Sequence, residues 1–154
     1  MRLQKATMCG LYAALELAAH ADQQISAAEI ADKYDISLNH LAKVLRTLVR
    51  AKLVESVRGA GGGYRFCGNP KRITLLDVIE LFENVSADEP DASQVEAEEK
   101  RALDSVLQEI DHITVTTLRS VSITTLLNIM EKQRRGGASA PAERPARRGA
   151  VGGE

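Results

Sequence analysis

The chain has 154 residues, of which 44% are apolar but only 3% aromatic, so we expect one ordinary domain or a small domain with an extension, with aliphatic side chains packed between helices. The formal net charge is −1, which leaves the local distribution of charge as the only charge-based guide to a nucleic-acid partner. No apolar run approaches the roughly 20 residues of a membrane span, and residues 1–10 are too rich in polar side chains for a signal peptide. Two cysteines are too few for a secreted disulfide scaffold. We therefore expect a cytoplasmic protein without a membrane partner.

The first third of the chain predicts three helices. Apolar residues recur at helical spacing through residues 4–20, at Leu11, Ala14, Leu15, Leu17 and Ala18. Ser26 stands three residues before Glu29, a capping-box pattern that opens a short helix ending at Tyr34. Ser37 then caps a third helix that runs to about Ala51.

A glycine-tipped hairpin and a further helix follow. Residues 53–57 and 64–67 have strand character, and the four glycines in residues 58–63 predict a flexible tip between them. Pro70 ends the second strand, and Thr74 caps a helix with Leu75, Val78, Ile79 and Phe82 on one face.

The second half of the chain predicts an extension rather than a second core. We divide the sequence into a winged helix-turn-helix domain (1–84), an acidic linker (85–93), a dimerisation helix from about residue 94 to 121 with a short terminal helix (together 94–132), and a disordered tail (133–154). The long helix carries an apolar stripe that a small domain cannot cover, which predicts a homodimer. The stripe consists of Val106, Leu107, Ile110, Ile113 and Leu118. The fold class is therefore mainly α with a small β-hairpin wing.

The third helix has one apolar and one polar face. Its polar face carries the amide, imidazole, ammonium and guanidinium groups that read base edges and hold phosphates. The members of this face are Asn39, His40, Lys43, Arg46, Thr47 and Arg50. A merely solvated face is the alternative, and the hairpin favours DNA, because Arg58 lies at its tip and Arg65 and Lys71 follow. A phosphate-cradling loop fits less well, since the glycines join two strands and no Gly-Lys-Ser/Thr follows.

Three stretches together resemble one family. They resemble the winged-helix regulators that include IscR, NsrR, RirA and CymR, and they read MRLQKAT, ISLNHLAKVLRTLVRAKLVESVRGAGGGYRF and ITLLDVIELFE. The resemblance covers roughly residues 1–84 and continues more loosely to residue 129. Within it, the segment SLNHLAKVL is closer to the NsrR branch. The resemblance implies a homodimer that binds palindromic operators, with the recognition helix in the major groove. Repression is the expected direction of regulation, and activation stays open. It also implies recognition roles for a set of helix residues and for a wing arginine at the minor groove: Ser37, Asn39, His40, Lys43, Arg46 and Arg58.

One departure concerns the cofactor. Many members of this family hold an iron–sulfur cluster through three cysteines before the long helix, but residues 84–104 read NVSADEPDASQVEAEEKRALD and contain none. We therefore predict no cofactor. The carboxylates of this segment suggest either a site for a hard cation or a solvated linker, and the lack of regular ligand spacing favours the linker.

The two thiols leave two interpretations open. Cys9 and Cys67 are either redox-sensing groups, for a regulator that responds to redox, nitrosative stress or iron, or small structural residues. The three histidines show no metal-ligand spacing, so we predict no metal site. The arginines of the tail either attract DNA phosphates or only keep the chain soluble.

Three functional classes compete. No catalytic motif is present, which argues against an enzyme. A sequence-specific transcription regulator is the first expectation, and a protein-interaction module that acts through a partner protein, with thiol rather than cluster sensing, is the alternative. A salt-sensitive, sequence-selective complex with DNA distinguishes the two.

Overall fold

The computed structural model describes residues 1–85 and 97–137. Within these ranges the chain forms six helices and one two-stranded antiparallel hairpin. In chain order the elements are α1 (Lys5–Ala19), α2 (Ala27–Tyr34), α3 (Leu38–Arg50), β1 (Val54–Val57), β2 (Gly63–Phe66), α4 (Leu75–Ile79), α5 (Glu98–Ser120) and α6 (Ile123–Gly137). None of the helices in the described ranges combines the length and apolar character needed to cross a bilayer.

Side-chain caps set the starts of three helices, as the sequence predicts. The Ser26 hydroxyl accepts a hydrogen bond from the backbone N–H of Glu29, and the Glu29 carboxylate accepts one from the backbone N–H of Ser26. Ser37 caps α3 by accepting from the backbone N–H of His40, without a reciprocal bond, and Thr74 forms a second capping box with Asp77. Each cap satisfies backbone donors that a helix cannot pair internally, so these starts are fixed locally. α4 is shorter than expected, since it ends at Ile79 and leaves Phe82 in the following turn.

The core lies between the first three helices. Leu17 of α1, Ile30 of α2 and Leu45 of α3 are completely enclosed, and Ile123 at the start of α6 reaches the same cluster. Burying each of these side chains contributes roughly 1.5–3 kcal/mol. Since α3 packs one face into this core, its opposite face is turned outward.

A buried carboxylate joins α1 to α2. Glu16 is only 7% exposed, and its Oε2 accepts hydrogen bonds from Lys33 Nζ at 2.6 Å and Tyr34 Oη at 2.8 Å. The Tyr34 ring also stacks on Tyr12 of α1, with 5.0 Å between ring centroids. Burial alone would raise the pKa of Glu16, but the two hydrogen bonds and the Lys33 charge outweigh it and hold the pKa below its ordinary value. The ionised carboxylate therefore fixes α2 against α1.

The hairpin is tied to the connection between α1 and α2, which the sequence does not predict. Ile25 and Tyr64 form an isolated antiparallel bridge, with N–O distances of 3.0 and 2.8 Å. Gly63 permits this approach, because a Cβ at that position would lie 2.6 Å from the carbonyl oxygen of Ile25. β2 therefore forms backbone hydrogen bonds with β1 on one side and with Ile25 on the other.

The junction between α5 and α6 docks on the loop that follows the hairpin. The backbone N–H of Ile123 donates to the carbonyl of Ile73 at 2.9 Å, and that of Thr124 donates to the carbonyl of Pro70 at 2.9 Å. Thr74 and Ser122 form a further bridge. The long helix is thus anchored at its C-terminal end to the loop that follows β2.

The structure corrects the predicted start of the tail. α6 continues to Gly137 instead of ending by residue 132, so residues 133–137 are helical and not disordered. Arg134 and Arg135 both form ion pairs with Glu131, one turn earlier, at 2.6 and 2.8 Å. The predictions for residues 138–154, for the linker at 86–93 and for a helix start at residue 94 fall outside the described residues; α5 begins at Glu98.

Candidate nucleic-acid interface

The two faces of α3 differ as the sequence predicts. Leu41, Val44, Leu45 and Leu48 are buried, whereas Asn39, Lys43, Arg46 and Arg50 are exposed. The helix contains no acidic residue. Its outward face therefore presents an amide and three cations to any ligand that approaches.

The three cations of this face are available to a partner. Within residues 1–85 and 97–137, the side chains of Lys43, Arg46 and Arg50 form no ion pair and no side-chain hydrogen bond. Exposed cations without internal partners lose little on meeting phosphates or base edges, because no existing interaction has to be broken.

Three of the predicted recognition residues are less available. The Ser37 hydroxyl accepts from the backbone N–H of His40 at 3.3 Å as the N-cap. The Thr47 hydroxyl donates to the carbonyl of Lys43, also at 3.3 Å. His40 is half-buried, and its Nε2 is enclosed without a hydrogen-bond partner among the described residues. Contact with bases is therefore expected mainly from Asn39 and the cations.

The two wing arginines differ in their surroundings. Arg58 is exposed at the hairpin tip, beside Gly59 and Gly61, whose φ angles of 110° and 74° form the turn. Arg65 lies on β2 directly opposite Glu55, and its Nε donates to Glu55 Oε1 at 2.8 Å. Arg58 is therefore free to reach a minor groove, whereas Arg65 is held by a carboxylate.

Leu38, the first residue of α3, also lies on this surface and was not predicted to do so. Its side chain is 53% exposed although it is large and apolar. A helical projection of α3 gives the signal that was missed, because Leu38 lies at the edge of the apolar face, on the same side as exposed Ala42 one turn later.

The apolar stripe of α5 is exposed in the single chain. No residue of α5 is buried, and Val106, Leu107, Ile110 and Ile113 are 48–57% exposed. Leu103 extends the stripe by one turn and was not predicted. Leu118 differs from the other members, because it is half-buried against the chain's own core.

Residues 3–129 match the model of the Rrf2 family, described as an iron-dependent transcriptional regulator. The chain belongs to the Rrf2 family. Its members are transcription regulators and not enzymes, as the absence of catalytic motifs predicts. The family resemblance seen in the sequence is confirmed.

Relatives and solved structures agree with this assignment. This Rrf2 protein is 63% identical over 152 residues to a protein of Rhodopseudomonas palustris described as an HTH-type transcriptional regulator, BadM, and the match covers 99% of this chain and 97% of that one. The structure of CymR (YrzC), the global cysteine regulator of B. subtilis, has a TM-score of 0.72 at 29% identity and covers 84% of this chain and 98% of its own. T. potens IscR, at 24% identity with a TM-score of 0.64 over 92% and 94% of the chains, supports the fold. The predicted winged-helix fold is confirmed.

The side chains of this Rrf2 protein do not fit a cysteine-ligated iron–sulfur cluster. The two thiols of the sequence lie on different elements, Cys9 buried in α1 and Cys67 exposed just after β2. Among residues 1–85 and 97–137, no group of three or more His, Cys, Asp or Glu side chains is arranged to hold a metal ion. A cluster needs three or four such ligands around one point.

Neither thiol environment favours the thiolate. Burial raises the pKa of Cys9, with only partial compensation from Lys5. Burial and the charge of Glu55 raise the pKa of Cys67, whose Sγ–H donates to the carbonyl of Lys52 at 3.4 Å. Since the thiolate is the reactive form, both groups are less reactive than a free cysteine.

Proposed function

We propose that this Rrf2 regulator is a cytoplasmic, sequence-specific repressor that binds palindromic operators as a homodimer. The observation that carries the proposal is the outward face of α3, where Lys43, Arg46 and Arg50 are exposed and unpaired among the described residues, beside exposed Asn39. In this arrangement α3 enters the major groove, and Arg58 at the wing tip enters the adjacent minor groove.

The homodimer follows from the apolar stripe of α5. Five large apolar side chains, Leu103, Val106, Leu107, Ile110 and Ile113, are each about half exposed on one side of the helix. An apolar surface of this kind is stabilised when a second copy covers it, and a two-fold axis then places two recognition helices on the two halves of a palindrome.

We propose that the protein senses its signal without a cysteine-ligated iron–sulfur cluster. Residues 84–104 contain no thiol, and Cys9 and Cys67 lie on separate elements. Any response to peroxide or nitrosative stress then depends on these two thiols, whose raised pKa values slow their oxidation. An absorbance spectrum of the protein purified without oxygen tests this, because iron–sulfur charge-transfer bands in the visible range contradict the proposal.

A mobility-shift titration tests the DNA-binding role. The probe is the region upstream of the protein's own gene, with a shuffled duplex of the same composition as the competitor. The proposal requires a selective complex that weakens as salt rises, and Lys43→Ala combined with Arg46→Ala must weaken it. A complex equally strong on both duplexes, or none at all, would instead favour the protein-interaction module, which acts through a partner protein.

A further inference from the structure

Leu38 is a large apolar residue on the surface that is proposed to meet DNA. It is the first residue of α3, directly after the cap Ser37, and its side chain is 53% exposed. Single exposed leucines are common on protein surfaces, so exposure alone carries little weight. What distinguishes Leu38 is its position at the start of α3.

The position is the one from which a recognition helix contacts bases. In helix-turn-helix proteins, residues of the N-terminal part of the second helix reach the base edges of the major groove. Leu38 lies in this turn beside exposed Asn39, and Ala42 follows on the same side of the helix one turn later. These two apolar residues form a short apolar edge next to the polar face.

The surroundings of Leu38 disfavour a phosphate contact. Leu38 borders a shallow depression that is also lined by Ile36, Asp32 and Asp35. The two carboxylates are exposed and repel phosphate oxygens. A group of the DNA that approaches Leu38 closely is therefore uncharged and apolar, and the apolar group on the major-groove edge of a base pair is the C5-methyl of thymine.

From this juxtaposition we infer that Leu38 is a specificity residue that contacts the C5-methyl group of a thymine in each half-site. The inference rests on the proposed DNA-binding function and adds to it an apolar contact beside the polar ones. Removing one buried methyl group lowers affinity about fourfold, and removing it in both half-sites lowers affinity about fifteenfold.

The test compares two forms of the same duplex. The upstream region is amplified once with thymidine triphosphate and once with deoxyuridine triphosphate and uracil-containing primers, which removes every thymine methyl and leaves the pairing unchanged. Dissociation constants for both forms are measured with the full-length wild type, Leu38→Ala, Leu38→Met and Lys43→Ala. The Lys43 variant is the matched control, because it removes a cation of the same helix and keeps Leu38.

The expected result is a thymine-to-uracil affinity ratio that depends on Leu38. Leu38→Ala binds the thymine duplex less tightly and loses most of the ratio, Leu38→Met largely keeps it, and Lys43→Ala weakens binding to both duplexes at the wild-type ratio. A wild-type ratio near one, or a ratio unchanged in Leu38→Ala, overturns the inference. The proposed function is still supported in that case if the wild type binds the thymine duplex more tightly than the shuffled duplex. Loss of selective binding in the wild type removes both.

Discussion

At the scale of single residues, three arginines near the proposed DNA interface have different surroundings. Arg46 is exposed on the helix proposed to enter the major groove, Arg58 is exposed at the wing tip, and Arg65 is paired with Glu55. A guanidinium in the major groove can bridge two acceptors of guanine, whereas one in a narrow minor groove responds mainly to negative potential. We therefore expect the three arginines to contribute differently to DNA affinity and specificity, although they carry the same charge.

Alanine substitutions of the first two arginines separate specificity from affinity. Arg46→Ala should cost about 1–3 kcal/mol on the operator and relax selectivity at one base pair per half-site. Arg58→Ala should weaken binding to operator and shuffled duplex more evenly and lower the salt slope by about one for each phosphate that is no longer neutralised. Titrations at several salt concentrations measure both effects.

Arg65→Ala is the matched control for these titrations, because its guanidinium is already held by Glu55 and its removal should change DNA affinity least. Equal decreases in affinity on both duplexes for Arg46→Ala would make that residue a phosphate contact, and base reading would then depend on Asn39 or Lys43.

Glu16→Gln should lower stability in a pH-dependent way. The folded-state pKa of Glu16 is lowered, so its contribution is fully present above the ordinary glutamate pKa of about 4.3 and is lost as pH falls through the folded-state pKa. We expect the variant to lose about 1–3 kcal/mol of unfolding free energy at pH 7.

Urea denaturation at fixed protein concentration, at pH 7 and in acid, measures this loss. Glu80→Gln, at an exposed glutamate after α4, is the control and should change little at either pH. A deficit that persists unchanged in acid would show that the charge of Glu16 is not what joins α1 to α2.

At the scale of elements, the wing depends on one small residue. A methyl group at Gly63 would lie 2.6 Å from the backbone carbonyl oxygen of Ile25, and a backbone atom cannot rotate away. Gly63→Ala should break the Ile25–Tyr64 bridge, lower stability by about 0.5–3 kcal/mol and weaken DNA binding through a displaced Arg58. Thermal denaturation and the mobility-shift titration measure the two effects.

Gly136→Ala is the control for Gly63→Ala. Gly136 is helical, and a methyl group there would have no described atom within 4 Å outside its own helical turn. Alanine in a helix is favoured over glycine, so this variant should keep or slightly raise stability. If Gly63→Ala behaves like Gly136→Ala, the bridge does not hold the wing.

Local signals in the sequence predict most of these elements. The starts of α2, α3 and α4 depend on caps, and these are visible as Ser26 with Glu29, the lone cap Ser37, and Thr74 with Asp77. The outward face of α3 follows from helical periodicity alone. These features need no knowledge of the rest of the chain.

Features that depend on distant partners escape such analysis. The bridge from Ile25 to Tyr64 and the burial of Glu16 between two helices require the tertiary arrangement. The ion pair of Arg65 depends on strand register, which places Glu55 opposite it. The extension of α6 was predictable in principle, because Glu131 precedes Arg134 by the helical spacing of an ion pair.

At the scale of the whole molecule, the stripe of α5 is expected to decide the oligomeric state. Leu107→Asp combined with Ile110→Asp places two charges in the proposed dimer interface, so we expect a monomer with poor affinity for the palindrome. Sedimentation equilibrium and the mobility-shift titration measure the two consequences.

The matched control adds the same charges elsewhere on α5. Gln108→Asp combined with His112→Asp places them on the opposite, exposed side of the helix, and this variant should remain dimeric. A dimer that persists with Leu107 and Ile110 replaced would move the interface away from the stripe. Leu118 is half-buried in the chain's own core, so its replacement should affect folding instead.

The bridge between Ile25 and Tyr64 is also expected to limit which DNA spacing the proposed interface can accept. β1 begins soon after α3, and β2 is bonded to the connection before α2, so the wing cannot swing without breaking two backbone hydrogen bonds. An extra base pair between the sequence met by α3 and that met by Arg58 would shift one groove by about 3.4 Å and turn it by about 34°. If the proposed DNA-binding mode holds, the spacing between the two contacts matters as well as the base sequence, so the proposed operators should tolerate a changed base more readily than an inserted or deleted one.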